Sequence, residues 1–121
     1  MAPQPGTFPS DPTQFPGRHQ NPTQLPLGTW HLMANGRIFI LTIQSVNGSD
    51  VQATFSSGSI GYAKWEPSSG KLTFTRITSI TQEYRGYLMA YDNNDTYWRL
   101  AGVFGDVSVG EQAGWYATIP K

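Results

Sequence analysis

Proline decides first what this chain can fold into. Seven of the nine prolines stand at positions 3, 5, 9, 12, 16, 22 and 26; the others are Pro67 and Pro120. Proline holds φ at about −65°, lacks a backbone donor and pushes the residue before it toward extended conformations. Residues 1–27 are therefore expected to form neither a helix nor a central strand, and read as an extended Pro-rich arm. Residues 28–121 read as a separate β-barrel domain.

The arm repeats itself. Pro12-Thr13-Gln14-Phe15-Pro16 returns ten residues later as Pro22-Thr23-Gln24-Leu25-Pro26. One reading is a low-complexity linker. The other is a docking arm whose Phe8, Phe15, Leu25 and Leu27 enter pockets on a protein surface. A stiff extended segment loses less entropy on docking than a Gly/Ser chain.

From Gly28 onward no apolar period of 3.6 residues is sustained. Short β-branched and aromatic runs alternate with turn clusters, which predicts strands over 29–34, 37–46, 51–56, 60–66, 71–78, 82–91, 97–104 and 114–119. Asn35-Gly36 and the Pro67-Ser68-Ser69-Gly70 run are the clearest hairpin turns. Short connections imply an antiparallel meander. Eight meandering strands leave two exposed edges unless the sheet closes, so the expected fold is all-β, an eight-stranded up-and-down barrel.

Alternation assigns faces. Phe39, Leu41 and Ile43 share one face of the second strand, Leu72 and Phe74 one face of the fifth, and Trp98, Leu100 and Phe104 one face of the seventh. Ile38 and Ile40 oppose Phe39 and Leu41. Tyr87, Met89 and Tyr91 oppose Tyr84, Gly86 and Leu88. Two apolar faces on a barrel strand predict that the outside is also covered, by a subunit interface. Only 13% of the residues are charged and the formal net charge is zero. That balance favours protein contact, whose core is depleted in charge, over a nucleic-acid partner. No apolar run reaches the length of a membrane span, and residues 1–6 lack a leader's apolar core. The lack of Cys excludes disulfides and thiol chemistry and leaves the compartment open.

The order of landmarks resembles the avidin/streptavidin family of calycin-type barrels. Gly28-Thr29-Trp30 is similar to the G-x-W that opens the first strand. Gly36-Arg37-Ile38-Phe39-Ile40-Leu41-Thr42 resembles G-S-T-F-I-V-T, and Thr54-Phe55-Ser56-Ser57 resembles T-Y-x-S. Tyr84-Arg85-Gly86 resembles W-S-G, Trp98-Arg99-Leu100 resembles W-L-L, and Trp115-Tyr116-Ala117-Thr118-Ile119 resembles W-K-S-T-L. The resemblance spans 28–119 and implies a ligand wall at the barrel mouth formed by Phe55, Ser57, Tyr84, Trp98, Leu100 and Trp115. It also implies that Trp115 serves an interface. The bland reading of Trp30, Trp65, Trp98 and Trp115 is core and interface packing. An Arg over the opening Trp is a calycin habit; of Arg76 and Arg99, Arg76, on the face of Leu72 and Phe74, is the one expected to cover Trp30, and the alternative is two solvated surface arginines.

The family's polar contacts to biotin are mostly missing. Leu32 stands for an Asn, Arg37 for a Ser and Phe55 for a Tyr, and no counterpart of the late Asp occurs up to Lys121. Ser57 alone matches. Each lost hydrogen-bond partner costs roughly 1–3 kcal/mol.

No catalytic constellation is visible. His19 and His31 lack partners at metal-ligand spacing, so no metal and no cofactor is expected. Asp50, Asp92, Asp95 and Asp106 fall in predicted turns, where Asp is explained by turn propensity. Glu66, Glu83 and Glu111 are isolated. The expected function is a non-catalytic, self-associating barrel, a homo-oligomer with a docking arm. The alternative is a barrel that binds a small apolar ligand or a glycan. Isothermal titration with biotin is expected to give no submicromolar dissociation constant, and one in that range would overturn the reading of the polar set.

Overall fold

The structure, a computed structural model, describes residues 24–89, 96–110 and 112–121. Eight strands run in order: β1 (Gly28–Ala34), β2 (Arg37–Asn47), β3 (Asp50–Phe55), β4 (Ser59–Glu66), β5 (Lys71–Ile77), β6 (Thr81–Met89), β7 (Tyr97–Asp106) and β8 (Ala113–Pro120). Each pairs antiparallel with the next, and β8 returns to β1, so the barrel is closed. The expected fold is the one found.

Turn chemistry sets the hairpins. Asn35 and Gly36 both have positive φ, 54° and 73°, the requirement of the two-residue turn whose twist matches its strands. Gly70, at φ 70°, closes the β4–β5 turn by donating its N–H to the Glu66 carbonyl at 2.8 Å. The β1–β2, β3–β4, β5–β6 and β7–β8 turns lie at one end, here called the mouth. The β2–β3 and β4–β5 turns lie at the other, with residues 24–27 leading into β1 there. That is the arm end.

Two irregularities interrupt the ladders. Register shifts between Ile43 and Ser45 on β2. It shifts again between Ile60 and Ala63 on β4. At the second bulge the Thr75 hydroxyl accepts from the Tyr62 N–H at 3.1 Å, replacing a ladder bond. A Cβ on Gly61 would lie 2.4 Å from that hydroxyl, so the bulge needs glycine there. Pairing between β3 and β4 is thin, with Asp50 opposite Lys64 as the one register pair.

Large side chains occupy the interior. Trp30, Trp65, Tyr84, Phe74, Leu32, Leu41, Ile43, Leu72, Leu88 and Leu100 are all fully buried. The inward sets read from alternation on β2, β5 and β7 are confirmed, with Phe39 and Trp98 half-buried against the core. Leu25 is part of the same core cluster at 5% exposure, a plug from outside the strands. Burying a leucine is worth about 1.5–3 kcal/mol. The Trp30 indole N–H donates to the Pro26 carbonyl at 3.0 Å and fixes the chain behind that plug.

Close contacts across β6, β7 and β8 dictate two glycines. Gly86 on β6 faces Gly102 on β7, and Gly102 faces Trp115 on β8. The Trp115 ring lies over this pair. A Cβ on Gly86 would lie 2.5 Å from Trp115 Cζ2, and one on Gly102 would lie 1.8 Å from the Arg85 carbonyl oxygen. Neither neighbour of Gly102 is a yielding side-chain tip. Gly102→Ala is expected to lower the unfolding free energy by at least about 3 kcal/mol in urea titration. Gly114→Ala, whose Cβ would meet its nearest atom at 3.8 Å, is the control and should cost less than about 1 kcal/mol.

Candidate functional site

The mouth is closed by an aromatic cluster under an arginine. Tyr84 stacks between Phe74 and Phe104, with centroids 4.7 and 4.8 Å apart and planes within 10°. Trp115 meets Phe74 and Tyr84 edge-on at 6.0 and 5.7 Å. Phe55 tilts against Phe39, Phe74 and Tyr84 at 5.3–6.0 Å. The Trp115 Nε1–H donates to two carbonyls, Val103 at 3.0 Å and Arg85 at 3.2 Å, tying β8 to both β6 and β7.

Arg76 is the lid of this cluster. Its guanidinium lies 4.8 Å from the Phe39 centroid and 5.2 Å from that of Phe55. Nε donates to the Ser57 carbonyl at 2.7 Å, Nη2 to Ser57 Oγ at 3.0 Å and Nη1 to Gln82 Oε1 at 3.0 Å. The expectation that Arg76 covers Trp30 is therefore corrected. Both strands run from arm end to mouth, and Trp30 is third along β1 whereas Arg76 is sixth along β5. They stand at opposite ends.

The six predicted wall residues divide. Phe55, Tyr84 and Trp115 meet at the mouth, with Ser57 above them on Arg76. Leu100 is buried in the core. Trp98 stands near the arm end, opposite Ile119, with Lys121 Nζ 4.8 Å from its ring. Phe39, Phe74, Phe104, Gln82 and the lid role of Arg76 were not foreseen as parts of one cluster. The shared face of Leu72, Phe74 and Arg76 was the available signal. Of the predicted arm-docking residues, Leu25 is buried and Leu27 is 56% exposed. Phe8 and Phe15 lie outside the described residues.

At the arm end a groove of about 280 Å³ opens beside the plug, lined by Gln24, Leu25, Leu27, Val46, Trp65 and Pro67. The outer wall carries a different feature. Ile38 on β2 faces Met33 on β1, Met33 faces Tyr116 on β8, Tyr116 faces Ala101 on β7, and Ala101 faces Tyr87 on β6. This apolar row crosses five strands. Ile38 is 66% exposed and Tyr116 49%.

The four described carboxylates all have local structural partners. Asp50 pairs with Lys64, Glu66 with Lys71 at 3.6 Å, and Glu83 with Arg85 at 3.4 Å. Glu83 also accepts from the Tyr62 hydroxyl at 3.1 Å. Asp106 accepts from the Ser108 N–H at 2.8 Å and Oγ at 2.7 Å, and these bonds hold its carboxyl below the usual range. Among the described residues no three His, Asp or Glu group as metal ligands. The Asp92 and Asp95 turn and Glu111 lie outside the described residues.

Comparison with known proteins assigns no family: no family model matches, and no curated protein or solved structure is significantly similar.

Tyr84 is, among the described residues, a titratable group sealed in the mouth. Its hydroxyl is buried without a hydrogen bond of good geometry. Burial raises its pKa above 10.0, and the nearby Arg76 guanidinium partly opposes the rise. A phenol whose folded pKa exceeds its unfolded value stabilises the fold below the unfolded pKa. That stability is lost as pH climbs from the unfolded toward the folded value. Tyr84→Phe is expected to match or exceed the parent by up to about 1 kcal/mol at pH 7, since a buried orphan hydroxyl is removed. Thermal scans above pH 10 should show a shallower alkaline loss in the variant.

Proposed function

We propose that this protein is a non-catalytic barrel that self-associates through the outer face of β2, β1, β8, β7 and β6, with its Pro-rich segment as a docking arm. The observation that carries the reading is the row from Ile38 to Tyr87. Scattered exposed apolar residues are ordinary, whereas contiguous ones mark an interaction site. The two ends of the row, on β2 and β6, belong to the strands whose second face is apolar in sequence. A second copy of the chain is the natural cover, because one patch can serve both sides of a two-fold interface.

An avidin-like build is part of this proposal. It is supported by the position of Gly28-Thr29-Trp30 at the opening of β1 and of Trp115-Tyr116-Ala117 on β8. The ligand-binding alternative has less support. Phe55, Tyr84 and Trp115 spend their faces on one another and on Phe74 and Phe104, and Arg76 covers them. The local partners of the described carboxylates favour a non-catalytic role.

Tyr116→Asp places a charge at the centre of the row, on an exposed side chain. Sedimentation velocity is expected to show the parent as an assembly and the variant shifted to the mass of one chain, with circular dichroism unchanged. A parent that sediments as a single chain at high micromolar concentration overturns the reading.

A further inference from the structure

The arm-end groove and the arm's internal repeat belong together. Pro22-Thr23-Gln24-Leu25-Pro26 ends in a docked pair. Leu25 is 5% exposed in the core cluster, and Pro26 offers its carbonyl to the Trp30 indole at 3.0 Å. The apolar residue of this motif is thus a plug, and the proline after it is the hydrogen-bonded stop. The first copy, Pro12-Thr13-Gln14-Phe15-Pro16, has the same pattern with a larger side chain at the plug position.

The groove is suited to such a side chain. Its apolar lining is Trp65, Leu25, Leu27, Val46 and Pro67, with Gln24 and Gly48 beside them, and its volume is about 280 Å³. Leu27, 56% exposed on its rim, is an apolar side chain with one face uncovered. Aromatic side chains gain most from such a site, because they bury large area at low entropy cost.

Chain geometry names the source. Gln24, the first described residue, lines the groove, and residues 1–23 are covalently joined to it. Phe15 is nine residues before Gln24. Nine residues reach at most about 30 Å when extended, enough to leave the groove and return. Between Pro16 and Pro22 lies Gly17-Arg18-His19-Gln20-Asn21, a proline-free stretch whose Gly17 and Asn21 suit a reversal. A tether this short holds the motif at an effective concentration in the millimolar range, above that of any second chain in dilute solution.

We propose that Phe15 seats in the arm-end groove of its own chain, so that the repeated motif supplies two successive plugs, Phe15 beside Leu25. This rests on the docking-arm part of the function proposed above and not on the self-association part.

The chain has no cysteine, so an engineered pair reports one proximity without background. The full chain carrying Phe15→Cys with Pro67→Cys is oxidised at low micromolar concentration. Ser10→Cys with Pro67→Cys is the comparison. The expected result is an intrachain disulfide that forms about tenfold faster in the Phe15 pair. A second measurement is the melting temperature, which should fall in Phe15→Ala and be retained in Phe15→Leu. Equal rates in the two pairs, crosslinks that join two chains, or a Phe15→Ala chain that melts like the parent would each overturn the proposal. Sedimentation of Phe15→Ala separates the two ideas: it should match the parent, because the outer row is untouched.

Discussion

The barrel depends on one indole. Trp115 crosses from β8 over paired glycines on β6 and β7, and its single N–H is shared by a carbonyl from each of those strands. A buried N–H must find acceptors, and here the acceptors are backbone. The contact therefore fixes three strands at once. It also presents the ring edge-on to the Phe74–Tyr84–Phe104 stack, so the packing of the mouth follows from the placement of Trp115. Glycine at 86 is a condition for this, because a side chain there would meet the ring, and glycine at 102 is a condition for the close approach of the β6 backbone.

The two ends are closed by different chemistry. At the arm end the closure is apolar and comes from outside the strands, through Leu25 and the chain behind it. At the mouth it is polar and comes from within, through Arg76, which lies over Phe39 and Phe55 and is held by Ser57 and Gln82. A guanidinium suits this place because it stacks on rings while its edge donates hydrogen bonds. The charge stays near solvent and the apolar stack stays beneath it.

Much of the fold was legible because its determinants are local. Asn35-Gly36, Gly70 and the alternation of Leu41, Leu72 and Leu100 act within a few residues, and the strands they delimit match those found. The site was less legible because it depends on register between strands distant in sequence. Trp98 and Trp115 lie on inward faces of adjacent strands, yet toward opposite ends. Arg76 shares a face with Phe74 as expected, but strand direction places it far from Trp30. The glycine pair carries no local signal, since its reasons lie on other strands: the Trp115 ring for Gly86 and the Arg85–Gly86 backbone for Gly102. Leu25 and Leu27 look equivalent in sequence, and the structure buries one and exposes the other.

The thin junction between β3 and β4 has a consequence for how the barrel breathes. Every other junction is a ladder of several register pairs, whereas this one holds the Asp50–Lys64 pair and the bond from the Trp65 N–H to the Ser49 carbonyl, both beside the β2–β3 turn. Local opening follows the least-bonded boundary. The closed cylinder thus contains one thinly paired line along its wall. Amide protons facing this line on β3 and β4 should exchange through a small fluctuation, while those of β6, β7 and β8, stapled by Trp115, wait for global unfolding. The barrel is closed as a topology, and its ladder is thinnest between β3 and β4.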